Sequence, residues 1–435
     1  MPTTQRNVRV YKLSGASIFA AWASSLGVLA CPVPAYALQP LSEFFAAAHR
    51  ASTDARQTAL VTVQREADEM IAGSQLLPSL TASGSYTLNQ FESVISMPQG
   101  SVVIQPRHGL SGSAQLSIPL LDLAAWRRKK AADRIVEAAR LSQENTALDV
   151  DRQVAQYYFQ LIGAEALRHS YQASLAAAEE NRSITVAKRE EGVATDLDVA
   201  RASVDVEGIG RSLAEQQLSI ALARRALTTL TGVVPSDDVP DLTDDLRDES
   251  ALDAWETRIE QLPSLLGAAA TTEAAREQTK AARLALLPTV AATATEQVTN
   301  AAGLLGHNRY FTGMVTASWR LDLAALGRWK GQGAAAQAAR VQAEATANRA
   351  RDAVYEAWQR VASGITASRS TRSQAAAARM AADKARERYA AGAGTQLELV
   401  QAQRDLSSME AARIQCDANL ALDRILLRLA VGERQ

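Results

Sequence analysis

The sequence predicts a mainly α-helical chain with a smaller antiparallel β part, built as two tandem copies of one structural unit. Three observations predict it. Of the 12 prolines, none lies between Pro119 and Pro235 and none after Pro288, and these runs are rich in Ala, Arg, Gln and Glu. They read as very long helices. Two pairs of short segments alternate apolar with small polar residues, the period of a strand wet on one face. Finally, the chain matches itself at an offset of 200: Leu121-Asp122-Leu123-Ala124-Ala125 returns as Leu321-Asp322-Leu323-Ala324-Ala325. At the same offset Gly192-Val193-Ala194-Thr195-Asp196-Leu197 returns as Gly392-Ala393-Gly394-Thr395-Gln396-Leu397, and Gly232 as Gly432.

Composition narrows the function. A chain of 435 residues with 47% apolar side chains can bury a core. Its 46 Lys+Arg against 47 Asp+Glu give a formal charge of -1, which removes the electrostatic case for a nucleic-acid binder. Two cysteines exclude a disulfide scaffold, and His49, His108, His169 and His307 are too scattered for a metal cluster. No nucleophile elbow, Walker loop, zinc motif or dinucleotide fingerprint occurs, so neither an enzyme nor a cofactor is expected.

Residues 1–37 read as an export signal. Arg6, Arg9 and Lys12 form a basic start with no acid before Glu43, Leu13 to Ala30 is apolar, and Ala35-Tyr36-Ala37 is a cleavage pattern. Cleavage there takes three positive charges off the formal -1, giving -4. Val28-Leu29-Ala30-Cys31 resembles a lipobox and is the competing cut; with the Ala37 cut, Cys416 is the only cysteine left. No later stretch approaches the ~20 apolar residues of a spanning helix, so any membrane part must be strands.

The first copy, 38–233, opens with an amphipathic helix over roughly 41–75, stopped by Pro78. A strand pair follows at Ser79–Phe91 and Gly109–Leu120. The second copy, 252–435, repeats this with a helix over 252–285, stopped by Pro288, and strands at Thr289–Thr299 and Arg309–Leu321. Leu76-Leu77-Pro78 matches Leu286-Leu287-Pro288 at an offset of 210, so the first copy carries ten extra residues in its strand loop. The segments 92–108 and 300–308, with Pro98, Gly100, Pro106, Gly303 and Gly306, read as loops. The strands fit an outer-membrane barrel, with a hairpin on a soluble sheet as the bland alternative. Trp126, Tyr310, Phe311, Trp319 and Trp329, near Arg127 to Lys130, Arg328 and Lys330, suit a headgroup girdle.

Each strand pair leads into a helix of some 67 residues, Ala124 to Glu190 in the first copy, about 100 Å long. A Gly-x-x-Thr turn then reverses the chain. The returning helix carries a heptad seam of Val199, Val206, Leu213, Ile220 and Leu227 with Ala202, Ile209, Gln216, Ala223 and Leu230. Leu399, Leu406, Leu420 and Leu427 keep the phase, Arg413 breaks it, and Cys416 reads as a small packed hydrophobe. Asp196 and Asp198 read as helix-start residues rather than a catalytic pair. The segment between copies, 234–251, holds seven acids and reads as a solvated linker, with a calcium loop as the sharper alternative.

This doubled order of helix, Leu-Leu-Pro, strand pair, long helix, Gly-x-x-Thr-x-Leu-[Asp/Glu] turn and returning helix resembles the TolC-like outer-membrane efflux protein family over the whole mature chain. The resemblance implies a homotrimer in the Gram-negative outer membrane: a 12-stranded β-barrel continuing into a long periplasmic α-helical coiled-coil barrel. It implies docking by a periplasmic adaptor protein and an inner-membrane transporter, ABC or proton-driven, and export of drugs, metals or unfolded polypeptides. The Ala37 cut favours the type I protein-secretion branch. Gly192, Thr195, Asp196, Gly392 and Thr395 match the family's periplasmic, adaptor-docking tip. Glu398 matches an acidic aperture position, Gln401 replaces the acid usual at the next, and Tyr389 fits the aromatic before the turn. A periplasmic coiled-coil scaffold or adhesin without a channel is the alternative, and it predicts solubility without detergent.

Overall fold

The computed structural model describes residues 38–434, apart from 99, 239–243, 302–306 and 321. The export signal, with both candidate cuts, lies outside the described residues. In chain order the elements are α1 (Leu41–Ala51), α2 (Thr53–Ser74), β1 (Ser79–Leu88), β2 (Ser93–Met97), β3 (Gly100–Gln105), β4 (His108–Leu121), α3 (Leu123–Glu190) and α4 (Asp196–Thr231). The second copy follows as α5 (Leu252–Glu256), a 3₁₀ turn, α6 (Pro263–Leu284), β5 (Thr289–Thr299), β6 (Arg309–Ser318), α7 (Leu323–Ala390) and α8 (Gln396–Ala430). Helices α3 and α7 each run 68 residues. At 1.5 Å per residue that is about 100 Å. Among the described residues no helix is long and apolar enough to cross a membrane.

Both long helices are capped alike. Asp122 and Asp322 accept from the N–H of Ala125 and Ala325 at 2.7 and 2.6 Å. The heptad seam of α4 is buried or half-buried at every predicted position, and its partner is α3; α8 pairs with α7 in the same way. Arg413, the exception in the seam, pairs with Glu410 and Asp417, and Cys416 is half-buried there.

The offset of 200 reappears as packing. One core cluster holds Val154, Leu161, Ile220 and Leu227, and the other holds Val354, Val361, Leu420 and Leu427. What differs is the plug: Phe44 and Tyr158 fill the first cluster, Trp255 and Ile259 the second.

Four expectations need correction. The helix over 41–75 is two helices, broken at Ser52, whose extended backbone lets α1 bury Phe44 and Phe45. The helix over 252–285 is likewise divided. Pro263 starts α6 at its first turn, where a missing N–H costs nothing. The loop 92–108 contains a β-hairpin, β2–β3, pairing Val94 with Val103 and Ile95 with Val102.

The fourth correction concerns the acidic segment between copies, whose described part is docked rather than free. Arg224 and Arg424, themselves 200 positions apart, hold its two ends. Arg224 pairs with Asp237, and Arg424 with Asp244 at 2.9 Å and with Glu249. Arg372 donates to the Asp244 carbonyl at 3.0 Å, and Leu246 joins the second core cluster from a left-handed backbone position.

Candidate functional site

Three regions carry chemistry: the sheet, the wall beneath it and the paired helical turns. The sheet is antiparallel in the order β1-β4-β5-β6, which leaves β1 and β6 as free edges. Its register sorts side chains onto two faces. Ser113 stands opposite both Ser83 and Gln297, and Ser111 opposite Ser85, so one face is hydroxyl- and amide-bearing. Ser83–Ser113 and Ser85–Ser111 hydrogen bonds at 2.8 and 2.7 Å cross-link it. Leu80 stands opposite Leu116, which stands opposite Ala294, so the other face is apolar. The one charge pair on that face, Glu296 with Arg309, neutralises itself at its outer end.

The girdle residues divide accordingly. Phe311 shares the apolar face through Glu296 and Ala114, but Tyr310 stands opposite Gln297 on the polar face and donates to its side chain. Adjacent residues of a strand cannot share a face, so Tyr310 cannot stand in an apolar-face girdle beside Phe311. At the other end of the sheet Trp126, Trp319 and Trp329 are exposed, and Trp319 donates its indole N–H to the Leu286 carbonyl.

Below the sheet, Glu277 of α6 is 1% exposed and gathers Arg127 at 3.1 Å, Lys280 at 2.8 Å and Lys130 at 3.9 Å. Burial opposes its charge, but Lys280 and Arg127 together outweigh burial and hold the carboxyl below the ordinary range. The group pins α3 to α6. Further down, buried Asp151 of α3 accepts from His49 of α1 at 2.7 Å and lies 3.7 Å from Arg434, so one carboxylate ties both ends of the described chain to the wall. Burial raises its carboxyl above the usual range.

The two turns are built to one pattern. Gly192 and Gly392 take the left-handed backbone that ends α3 and α7. Thr195 and Thr395 then cap α4 and α8 in reciprocal boxes with Asp198 and Glu398. Bonds from the Thr195 hydroxyl and N–H hold the Asp198 carboxyl below the ordinary range. Asp196 pairs with Arg189 at 2.8 Å. Glu398 is therefore a capping partner, with Arg388 3.8 Å away, and Gln401 donates to Asp405 at 3.1 Å. A side chain at Gly394 would fit tightly, its Cβ 3.2 Å from Arg388 and from the Tyr389 nitrogen.

Three contacts join the turns of the two copies, and composition gave no sign of them. The Lys188 ammonium sits 3.6 Å from the centre of the Tyr389 ring. Gln396 reaches buried Asn181 at 3.4 Å, and Arg404 pairs with buried Asp205 at 2.7 Å. Asp205 and Arg404 lie almost one repeat apart, so comparing the copies for opposite charges would have found that pair.

The chain's relatives share this plan. Brucella suis outer membrane efflux protein BepC is 25% identical over 378 residues, covering 83% of this chain and 78% of BepC. The probable efflux pump outer membrane protein TtgC of Pseudomonas putida is 24% identical, covering 83% of this chain and 76% of TtgC. The outer-membrane channel OprN superposes with a TM-score of 0.78 at 21% identity, over 90% of this chain and 89% of OprN. The sequence pattern of the family described as outer membrane efflux protein matches twice, at residues 47–233 and 256–433. With one match on each copy, together spanning most of the chain, the chain belongs to the outer membrane efflux protein family.

Proposed function

We propose that three copies, each contributing four strands, close a 12-stranded barrel in the outer membrane above a periplasmic helical tube, forming the exit duct of a tripartite exporter. One observation carries this reading: the sheet has an apolar face, a hydroxyl-lined face and two free edges. Unpaired strand amides cost several kcal/mol each in lipid, so β1 of one copy must pair with β6 of the next. The apolar face then meets acyl chains and the hydroxyl face lines water. A soluble scaffold has no use for such a sheet. Reconstituted protein should conduct ions in planar bilayers, and cysteines placed at Ser101 or Asn308 should label from outside intact cells. Absence of conductance sinks the duct, and failure of label at both positions reverses the topology.

The paired turns are the end that meets a periplasmic adaptor and, through it, an inner-membrane transporter. Two Pseudomonas putida relatives, named as an antibiotic efflux pump outer membrane protein and a toluene efflux pump outer membrane protein, favour small toxic molecules as cargo. An unfolded polypeptide, by type I secretion, is the second reading and rests on the Ala37 cut. Deleting the gene should sensitise cells to organic toxicants; loss of a secreted protein without sensitisation would select the second reading.

Glu398 narrows the aperture in this reading, with Tyr389 and Gln401 beside it. Glutamine can keep the capping box, so Glu398→Gln separates charge from structure. Single-channel recordings should show lower cation selectivity and weaker block by trivalent cations, with trimer stability unchanged. Unaltered selectivity and block would leave Glu398 a helix cap and nothing more.

A further inference from the structure

Directly beneath the sheet, a cavity of about 610 Å³ opens among α3, α6 and α7. Its walls are mostly small side chains, Ala131 and Ala132 of α3, Ala281 and Ala282 of α6 with Ala285 at its end, and Ala325 of α7, joined by Ile135, Gln278 and Gln332. Three guanidinium groups line it, from Arg128, Arg320 and Arg328, with Asp322 the one carboxylate among them. Compensation is incomplete. Arg128 has Asp122 at 3.4 Å and Arg328 has Asp322 at 3.7 Å, but each carboxylate also caps a helix through its Oδ1. Arg320, exposed at the strand end, makes no ion pair among the described residues.

The cavity's direction follows from helix geometry. Residues two apart on a helix point about 200° apart. Trp126 is two residues from Arg128 and Lys280 two from Gln278, both of the latter lining the cavity. It therefore opens on the side of the wall away from Trp126. In the duct reading, Trp126 lies at the headgroup level outside, so the cavity faces the lumen, one per subunit, where tube meets barrel.

We propose that this cavity is a luminal binding station for amphipathic organic anions, a carboxylate or sulfonate carried on a compact apolar body. The inference rests on the duct reading and names a substrate class for it. Guanidinium groups bind such anions through paired, charge-assisted hydrogen bonds, and they are weakly hydrated enough to do so beside apolar surface. The alanine walls take the body, and the volume falls in the range of small-molecule sites. Surplus positive charge at the neck retains an anion that a neutral molecule of the same shape would pass.

The probe is 8-anilino-1-naphthalenesulfonate, titrated by fluorescence against trimer in phosphatidylcholine nanodiscs, with empty nanodiscs subtracted. Arg320→Gln with Arg328→Gln should weaken its binding by about tenfold or more, the same pair changed to Lys should retain most of it, and neutral N-phenyl-1-naphthylamine should bind all forms alike. The sulfonate should also reduce single-channel current of the wild type and not of the Gln form. Equal sulfonate affinity in wild type and Gln form, or binding that leaves current untouched, overturns the station. A trimer that conducts normally but lacks the site rejects the station alone, whereas protein that never conducts rejects the duct.

Discussion

Changing Leu218 and Leu222 of α4 together to Glu is expected to reduce the proposed trimer, extracted in detergent, to monomers. The inner stripe of α4, Ile220, Ala223 and Leu227, is spent on α3 and α1. Its outer stripe is bare: Leu218 and Leu222 are 61% and 60% exposed, and Val204, two heptads before Leu218, is exposed as well. Residues four apart share a helix face. A tube wall closed from three copies must cover that stripe with a neighbour, at roughly 1.5–3 kcal/mol for each leucine buried. Glutamate forfeits that gain and adds a charge that must leave water. The fold of each chain should survive, because most of each leucine's surface is exposed in the single chain. Light scattering should therefore fall from three chain masses to one, with helical circular dichroism unchanged and channel conductance lost. A double variant that stays trimeric would remove the outer stripe of α4 from the subunit seam.

Arg424→Ala is expected to release the segment between the copies. Arg424 is 14% exposed, and it faces Asp244 and Glu249, themselves 10% and 18% exposed. It also donates to the Arg247 carbonyl at 2.7 Å. Removing one partner from a buried ionic group strands the other charges, at a cost of about 3–5 kcal/mol, with the lower end applying where some water reaches them. The amides of Leu246 and Arg247, held now by Asx turns from Asp244 and Asp245, should exchange faster, and thermal stability should drop. Arg424→Lys should fall between, since one ammonium cannot span two carboxylates. Arg224→Ala should do less: Glu165 keeps Arg168 at 2.7 Å, and Asp237 is already in water. Unchanged amide exchange at 244–249 in Arg424→Ala would show that the core contact of Leu246 docks the segment instead.

How much of this was legible beforehand varies by element. The long helices, their Asp122 and Asp322 caps, the Gly-x-x-Thr turns and the heptad seam all follow from local residue chemistry. A proline-free run, a cap three residues from its N–H or an apolar repeat acts within a few turns of chain. The duplication was legible for a related reason: two copies of one fold need the same residues at the same core positions, as Leu227 and Leu427 show. The β2–β3 hairpin was missed because Pro98, in its turn, and Gly100, which opens β3 opposite Met97, were both read as loop residues. The facing of Tyr310 needed the register with Gln297, which strand composition does not fix.

By itself, then, the sequence determined the repeat, the lengths and ends of the long paired helices, and strands of two-faced chemistry. Tertiary structure alone decided the break at Ser52, the docking of the acidic segment, the Lys188–Tyr389 contact and the arginine-lined cavity under the sheet. The division has a physical cause. Helix periodicity and capping are set by neighbours in sequence, whereas a charge's partner is set by whatever the fold brings within about 4 Å of it. Arg424 and Asp244 are 180 residues apart in the chain and 2.9 Å apart in space.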